Sequence, residues 1–348
     1  DAEWEPLPLD EPDAFGHCYL QIHTRLTQLA KDHTDWRLIA DYTGGTKTMT
    51  AALATVALEL GWELSLVKGA RLNLVKVRNG TEIASLVNAA EVRAHRRMAE
   101  TQRLFNAYAY ASAAELLSGS LREAPLSPAL QHEIQGWVTL CRAFHAWDLF
   151  EHARARTLLE PYQSRCVPQW IFLKRLTRAE PGYAPVMDLL RNAERRAARG
   201  RYDDAVARLY RALELLAQTR LRQRKPSLNS SDLDVALLPE PLRGNYEIQQ
   251  DLSDDRIKLG LRADYELLAQ LEDPLGLFYQ EWQQRLLDVL GHRNASILAH
   301  GLDPITHESW EHMWQITSEY VEKGLQILGA QSKAPQFPSW HNAVPREA

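Results

Sequence analysis

The pattern of apolar residues changes at about residue 90, and this change limits the folds that the chain can adopt. Before it, short apolar runs such as "WRLIA" (36–40) and "WELSLVKG" (62–69) have the length of buried strands and alternate with helical patterns. After it, the patterns are long and helical, as in residues 184–224. The first 90 residues therefore predict an α/β unit with a parallel sheet, and the rest predicts an all-α region.

Glycines and prolines set the expected element ends. A helix over residues 47–61 should stop at Gly61, and a further helix pair should be joined at Gly200. A third strand is expected over residues 72–83. Three prolines within residues 225–262 predict a loop region there.

Charge and cysteine content exclude some function classes. The formal net charge is −5, from 40 basic and 45 acidic side chains, so any contact with nucleic acid has to use a local basic patch. No apolar run is long enough for a membrane span, and no signal peptide is visible. Cys18, Cys141 and Cys166 fit neither a disulfide framework nor a metal site. These features predict a cytoplasmic protein with no membrane partner.

The stretch "DYTGGTKTMT" begins at Asp41 and joins an expected strand to an expected helix. In open α/β sheets, ligands bind beyond the carboxyl ends of the strands, which is where this turn lies. Gly44 and Gly45 let backbone N–H groups approach a ligand, and the start of the helix adds the positive end of its dipole. The turn therefore predicts a site for a phosphate or another anion.

The side chains of this turn fit the same interpretation. Lys47 lies in the first helical turn, where a cation is unfavourable for the helix, and this indicates a bound anion that offsets it. Thr43 and Thr46 would cap the helix or donate to a phosphate, and Asp41 would bind a sugar hydroxyl or fix the turn. Neither the P-loop pattern nor the dinucleotide fingerprint is present, so a tight connection with ordinary caps is the competing interpretation.

A second candidate site lies near the C-terminus, in "LLDVLGHRNASILAHGLDP" (286–304). This segment predicts a helix that ends just past His300, at Gly301. Seven helical residues turn through about 700°, so Arg293 and His300 should lie within about 20° of each other on one face, about 10 Å apart along the axis. Asn294 flanks them.

These residue types suit cleavage of RNA without a metal ion. A ribose 2′-hydroxyl attacks its own phosphate, histidine moves protons near neutral pH, and arginine holds the phosphate. One helix spaces Arg293 and His300 too widely to grip one phosphate, whereas a twofold axis would bring one chain's arginine near the other's histidine. The competing interpretation pairs Arg293 with Asp288 or Asp303 and makes His300 a C-terminal helix cap.

Other patterns are weaker. The arginine-rich stretch "RNAERRAARGR" (191–201) would line an RNA path or, as we favour, form a solvated helix face. His145 and His152 are expected to be packing residues. The stretches "AFHAWDLFEHARARTLL" and "ARGRYDDAVARLYRALELL" look like tetratricopeptide helices, but two copies do not make the regular 34-residue array. No carboxylate stands at ligand spacing with His292 and His300, so no metal site is expected.

Together and in this order, the two candidate sites resemble one known family. "DYTGGTKTMTAALA" resembles the ligand motif of CARF domains, the cyclic-oligonucleotide sensors of type III CRISPR systems. "RNASILAH" is similar to the R-x(4–6)-H pattern of HEPN ribonucleases, here with the spacing R-N-x(5)-H. A CARF-like half, a helical connector and a C-terminal HEPN-like half form the layout of the CRISPR ancillary ribonucleases.

The resemblance implies an α/β plus all-α fold. A Rossmann-like CARF domain is expected over residues 1–90, and it looks incomplete at its N-terminus because the residues before the first strand read as a loop and a helix. A helical connector is expected over residues 91–183 and an α-helical HEPN domain over 184–332. Residues 333–348 are expected to form a loose tail.

The resemblance also implies a function. The turn residues Thr43, Gly44, Gly45, Thr46 and Lys47 would hold a cyclic oligoadenylate across a homodimer, with Asp41 shaping the turn. Binding of this activator would switch on cleavage of single-stranded RNA to a 2′,3′-cyclic phosphate. The cleavage site would consist of Arg293 as phosphate ligand, Asn294, and His300 as proton shuttle. The resemblance implies no metal, and no cofactor besides the allosteric activator.

Three alternatives stay open at this point. The first alternative is a nucleotide-sensing dimer without nuclease activity, and the second is a tetratricopeptide-like adaptor that binds proteins. A third possibility is that the glycine turn also cuts the activator.

Overall fold

The structure is a computed structural model that describes residues 5–69, 71–72, 76–77, 80–123, 126–247, 256–295 and 303–343. Residues 71–72, 76–77, 123, 290 and 292–295 are described by their backbone alone. The chain divides into two compact units. The N-terminal unit comprises Asp1–Thr101 and Glu115–Gln135, and the C-terminal unit comprises Gln102–Ala114 and Gly136–Ala348.

A three-stranded sheet forms the centre of the N-terminal unit. The elements of its first part are α1 (Phe15–Asp32), β1 (Ile39–Asp41), α2 (Lys47–Leu60), β2 (Glu63–Lys68), β3 (Arg71–Leu72), β4 (Lys76–Val77) and β5 (Ile83–Val87). The sheet has the order β1–β2–β5, with β1 parallel and β5 antiparallel to β2. The short strands β3 and β4 pair with each other in an antiparallel ladder.

The order of elements up to β2 confirms the expected α/β unit, whereas the strand expected over residues 72–83 is wrong. The described part of that stretch contains the end of β3, all of β4 and the first residue of β5, and β5 is the third strand of the sheet. Among the described residues no helix lies between β2 and β5, so the chain returns antiparallel instead of making a parallel crossover. The sheet is therefore mixed.

Helix α2 has local signals at both ends, and these confirm its expected bounds. At its N-terminus, Thr46 Oγ1 accepts a hydrogen bond from Met49 N over 3.2 Å. At its C-terminus, Gly61 has φ 76° and donates its N–H to Ala57 O. Glycine adopts this left-handed conformation without the penalty that a Cβ atom brings.

Helices α1 and α2 pack on one face of the sheet. Ala40, Leu64 and Ala57 belong to the buried cluster between sheet and helices. Leu64 stands opposite Val87 in the ladder, so both point to this face. The preceding residue, Leu86, points the other way and is 51% exposed.

The C-terminal unit confirms the expected all-α region. Helices α3 (Ala90–Asn106), α4 (Tyr110–Glu123) and α5 (Pro128–Asp148) contribute residues to both units. The later helices are α6 (His152–Leu159), α7 (Val167–Leu176), α8 (Ala184–Ala198), α9 (Tyr202–Gln223), α10 (Glu240–Glu247), α11 (Leu261–Gln270), α12 (Pro274–Ala295), α13 (His307–Ile327) and α14 (Trp340–Ala343). Two 3-10 helices lie at Glu160–Arg165 and Val235–Leu237.

The structure confirms one expectation about these helices and corrects another. Helices α8 and α9 are joined at Gly200, which has φ 68°. The region 225–262, expected to be a loop, contains α10. Pro241 is the second residue of α10, and the first helical turn tolerates proline because the N–H groups there have no intrahelical partner.

The expectation of a loose tail is wrong for residues 334–343. Trp340 is buried and stacks on Trp137, with ring centroids 3.4 Å apart and 9° between the planes. Phe337 lies under the Arg195 guanidinium, whose central carbon is 3.7 Å from the ring centroid. Buried aromatic rings contribute large apolar area, and this holds the segment against the C-terminal unit. Residues 344–348 lie outside the described part of the chain.

Candidate functional site

The glycine turn directly follows β1 and is tied to the neighbouring strand. Asp41 Oδ1 accepts a hydrogen bond from Thr43 N over 3.0 Å. Thr43 Oγ1 accepts one from Val67 N, on β2, over 2.7 Å. Thr50 Oγ1 donates to Gly44 O over 3.2 Å from the first turn of α2. The turn is thus held by its own residues, by β2 and by α2.

The Asp41 carboxylate is stabilised in its charged form. Hydrogen bonds from the Thr43 side chain and then from the Thr43 backbone lower the pKa of Asp41 below its usual range. Asp41 was expected to bind a sugar hydroxyl or to fix the turn. Its hydrogen bonds from Thr43 support the second role.

Thr46 and Gly45 determine how the chain passes into α2. Thr46 caps the helix through Met49 N and also donates its hydroxyl to Pro12 O over 3.2 Å. Gly45 has φ 101°, a conformation that residues with a side chain rarely adopt. The sequence interpretation of Thr46 as a cap is confirmed, while its contact with Pro12 has no signal in the sequence.

The turn presents backbone N–H groups and an ammonium group at the surface. Its expected ligand residues Thr43, Gly44, Gly45, Thr46 and Lys47 are all exposed. The N–H groups of Gly44, Gly45 and Lys47 donate no hydrogen bond to another described residue. Free N–H groups at the start of a helix, together with an exposed ammonium group, attract a phosphate or carboxylate.

The expected catalytic residues fall at the edge of what the structure describes. Arg293 and Asn294 belong to the last turn of α12, and their side chains lie outside the described residues. His300 also lies outside them. The approach of Arg293 to His300 across a dimer stays a prediction.

The arginine-rich stretch 191–201 forms a solvated face only at Arg199 and Arg201, which are exposed, and its other three arginines have partners. The Arg195 side chain is 1% exposed, and its Nε donates to Asp148 Oδ1 over 2.8 Å. Arg196 pairs with the same carboxylate over 2.9 Å. Arg191 donates to Ala334 O over 2.9 Å. These three arginines join α8 to α5 and to the C-terminal segment, so they are structural.

A second polar cluster connects α6 to α8. Asp188 is almost fully buried, and His152 Nε2 shares a hydrogen bond of 2.9 Å with its Oδ2. Trp147 Nε1 donates to Asp188 Oδ1 over 2.9 Å. His152 is therefore held by a buried carboxylate rather than simply packed. The sequence prediction missed this role because it did not identify Asp188 as a partner of His152.

The described part of the chain contains neither a metal-binding cluster nor a membrane-spanning helix. No group of three or more His, Cys, Asp or Glu side chains there is arranged to hold a metal ion. None of its helices is both long and apolar enough to cross a membrane.

Comparison with known proteins gives consistent matches. Residues 174–323 match the family model of the Csm6 HEPN domain, and residues 94–179 match that of the Csm6 6H domain. Among solved structures, Enterococcus italicus Csm6 bound to cyclic hexa-2′-fluoro-hexa-dAMP is similar, with a TM-score of 0.58 and 12% identity. That similarity covers 91% of this chain and 77% of the other, and at this identity it shows the fold alone. No curated protein sequence matches the chain.

The two family matches overlap at residues 174–179 and together span residues 94–323, which is most of the chain. The 6H domain is followed by the HEPN domain, and the α/β unit lies before both. The fold of the solved relative is similar over 91% of this chain. The chain therefore belongs to the Csm6-type family of CARF–HEPN proteins.

Proposed function

We propose that this protein is a CRISPR-associated endoribonuclease that cuts single-stranded RNA when a cyclic oligoadenylate binds at the glycine turn. The observation that carries the proposal is the match of residues 174–323 to the Csm6 HEPN domain, because that range contains the Arg293-Asn294-x(5)-His300 pattern. Arginine is suited to holding a phosphate and histidine to moving a proton, and a twofold axis would bring one chain's arginine near the other's histidine.

The sensor part of the proposal rests on the glycine turn. Its free N–H groups, Lys47 and the N-terminus of α2 together favour a phosphate at this edge of the sheet. The Csm6 of Enterococcus italicus is bound to a cyclic hexanucleotide analogue, which supports a cyclic oligoadenylate as the class of ligand.

The proposed chemistry requires no metal ion. A ribose 2′-hydroxyl attacks the adjacent phosphate, and the bond to the next nucleotide breaks, which leaves a 2′,3′-cyclic phosphate. His300 moves the proton, and Arg293 stabilises the charge that develops on the phosphate. Two copies of the chain would supply the composite site.

A cleavage assay tests the proposal directly. Purified protein is incubated with a fluorophore–quencher RNA in EDTA, with no activator, with cyclic tetra-adenylate or with cyclic hexa-adenylate. We expect activator-dependent cleavage that is lost in His300→Ala and retained in His312→Ala, an exposed histidine of α13.

Each other outcome has a definite meaning. Cleavage that requires a divalent ion would contradict the metal-independent chemistry. Equal cleavage with and without either activator would mean that the nuclease is active but that the glycine turn does not control it. No cleavage under any condition would favour a nucleotide-sensing dimer without nuclease activity.

A further inference from the structure

Phe150 occupies a backbone position that normally belongs to glycine. It has φ 63° between α5 and α6. Phe150 N donates to Trp147 O and Glu151 N donates to Ala146 O, which is the hydrogen-bond pattern of a Schellman helix end. A bulky residue is strained in this conformation, so glycine or asparagine would suit the fold better. A use for the Phe150 ring would offset this strain.

The Phe150 ring is at the surface. Its residue is 37% exposed, and its ring lies 5.9 Å from the His152 ring, nearly perpendicular to it. His152 is in turn held by the buried Asp188 carboxylate. The aromatic pair is therefore positioned by a rigid anchor, which is the arrangement that a stacking platform requires.

This pair lines an open depression of about 530 Å³ in the C-terminal unit. Its polar lining comprises Glu151, His152, Arg154, Thr177 and Arg178. The volume is in the range of ligand-binding pockets, about 300–1,000 Å³. The first turn of α6 forms part of the wall, and no side chain caps this helix at Glu151.

The charge of the depression is positive. Arg154 pairs with Glu151 over 2.8 Å, but the pair is exposed and exchanges partners at little cost. Arg178 is exposed and has no acidic partner among the described residues. Arg175 lies nearby; burial and then the charge of Arg178 lower its pKa. An anion in the depression would relieve this repulsion.

We propose that this depression docks single-stranded RNA, with a base stacked on Phe150 and a neighbouring phosphate held by Arg178 and Arg154. An exposed aromatic ring beside arginines is the combination that binds single strands without reading their sequence. An acidic peptide would use the arginines but not the ring. The site would position the substrate of the nuclease, so this inference rests on the proposed function.

The test uses the full chain and a fluorescent single-stranded oligouridylate with 2′-O-methyl groups, which 2′-hydroxyl attack cannot cut. Anisotropy titrations compare wild type, Phe150→Tyr and Phe150→Gly. Tyrosine keeps the stack and should bind as wild type does. Glycine removes it and should weaken binding about 5- to 150-fold, since a base–aromatic stack contributes about 1–3 kcal/mol at about 1.4 kcal/mol per factor of ten.

The control is Glu272→Gly. Glu272 has φ 52° at the end of α11 and the same two hydrogen bonds, from Glu272 N to Ala269 O and from Asp273 N to Leu268 O. The substitution removes the same backbone strain without touching the depression, and it should leave RNA binding unchanged. Thermal melting of both glycine variants checks that each retains a cooperative fold.

Salt dependence tests the phosphate contact separately. Each phosphate contact to a single strand adds about 0.7 to the slope of log affinity against log salt. Arg178→Gln should lower that slope by about 0.7, and Arg142→Gln, an exposed arginine outside the depression, should leave it unchanged.

The outcomes separate this inference from the proposed function. If wild type binds and cuts RNA but Phe150→Gly binds as tightly as Glu272→Gly, the docking site is wrong and the nuclease stands. If wild type binds no oligonucleotide with or without activator and cuts no RNA, both fail. Tighter binding of a glutamate-rich peptide that Arg178→Gln weakens and Phe150→Gly does not would make the depression a protein-binding site and overturn the inference.

Discussion

The Asp148 carboxylate accepts a hydrogen bond from Arg195 Nε over 2.8 Å, although 47 residues separate the two along the chain. Their side chains are 6% and 1% exposed, and Arg196 shares the same carboxylate. Removing one partner of a buried ion pair leaves an uncompensated charge in a medium that solvates it poorly. This cluster therefore joins α5 to α8 by groups that depend on one another.

Asp148→Asn should lower the free energy of unfolding by about 3–5 kcal/mol, because both arginines lose their counter-ion. Urea denaturation measures the change. Glu266→Gln is the control: it breaks the exposed pair with Arg262 and should change the free energy of unfolding much less than Asp148→Asn does. Equal costs for the two variants would contradict a structural role for the buried cluster.

Asp264 makes stability depend on pH. Burial raises the pKa of Asp264 to about 7, while its hydrogen bond from Ser230 acts in the opposite direction. The unfolded chain loses this proton near pH 4, so the stabilisation is complete below about pH 4 and lost as pH rises through about 7. Over about three pH units the loss approaches about 4 kcal/mol.

Asp264→Asn should remove this component. The amide keeps an acceptor for Ser230 and carries no charge at any pH. The variant should gain stability relative to wild type at pH 8, and the difference should disappear by pH 4. Urea denaturation of both proteins across this range measures it, and a difference that does not vary with pH would contradict the assignment.

The two glycines of the turn should respond differently to alanine. Gly45 has φ 101°, so Gly45→Ala should destabilise the N-terminal unit by about 1 kcal/mol or more. A Cβ atom on Gly44 meets nothing within 4 Å, so Gly44→Ala should leave the melting temperature nearly unchanged. Because that methyl group projects from the turn that we propose as the ligand site, calorimetry should show weaker binding of cyclic oligoadenylate to Gly44→Ala. Unchanged affinity would argue against the turn as the ligand site.

Lys47→Ala should separate ligand binding from folding. Removing a cation from the first turn of α2 should stabilise the helix by about 0.3–1 kcal/mol. Losing a charged hydrogen bond should weaken cyclic oligoadenylate binding about 10- to 100-fold. Lys31→Ala, at the end of α1, should leave that affinity unchanged. A variant that is more stable and binds as wild type does would identify the turn as a plain connection.

Helix α2 shows what the sequence by itself determined. Thr46 and Gly61 act on groups within four residues of themselves, so the bounds of the helix could be read directly from the chain. Local residues likewise indicated that two helices meet at Gly200 and that a tight turn lies at Gly45. The resemblance to the CARF–HEPN family likewise depends on two short motifs and their order, and the family matches confirmed it.

Tertiary structure alone decided which way β5 runs and where the arginines of α8 lie. The pattern around Arg195 is polar and looks solvated, and its burial depends on Asp148 and Gln336, which are distant in sequence. Trp340 packs on Trp137, which lies still farther away along the chain, and Phe150 faces a depression that α7 helps to form. Local signals reach only a few residues along the chain, whereas burial and charge pairing depend on contacts that form when distant segments pack together.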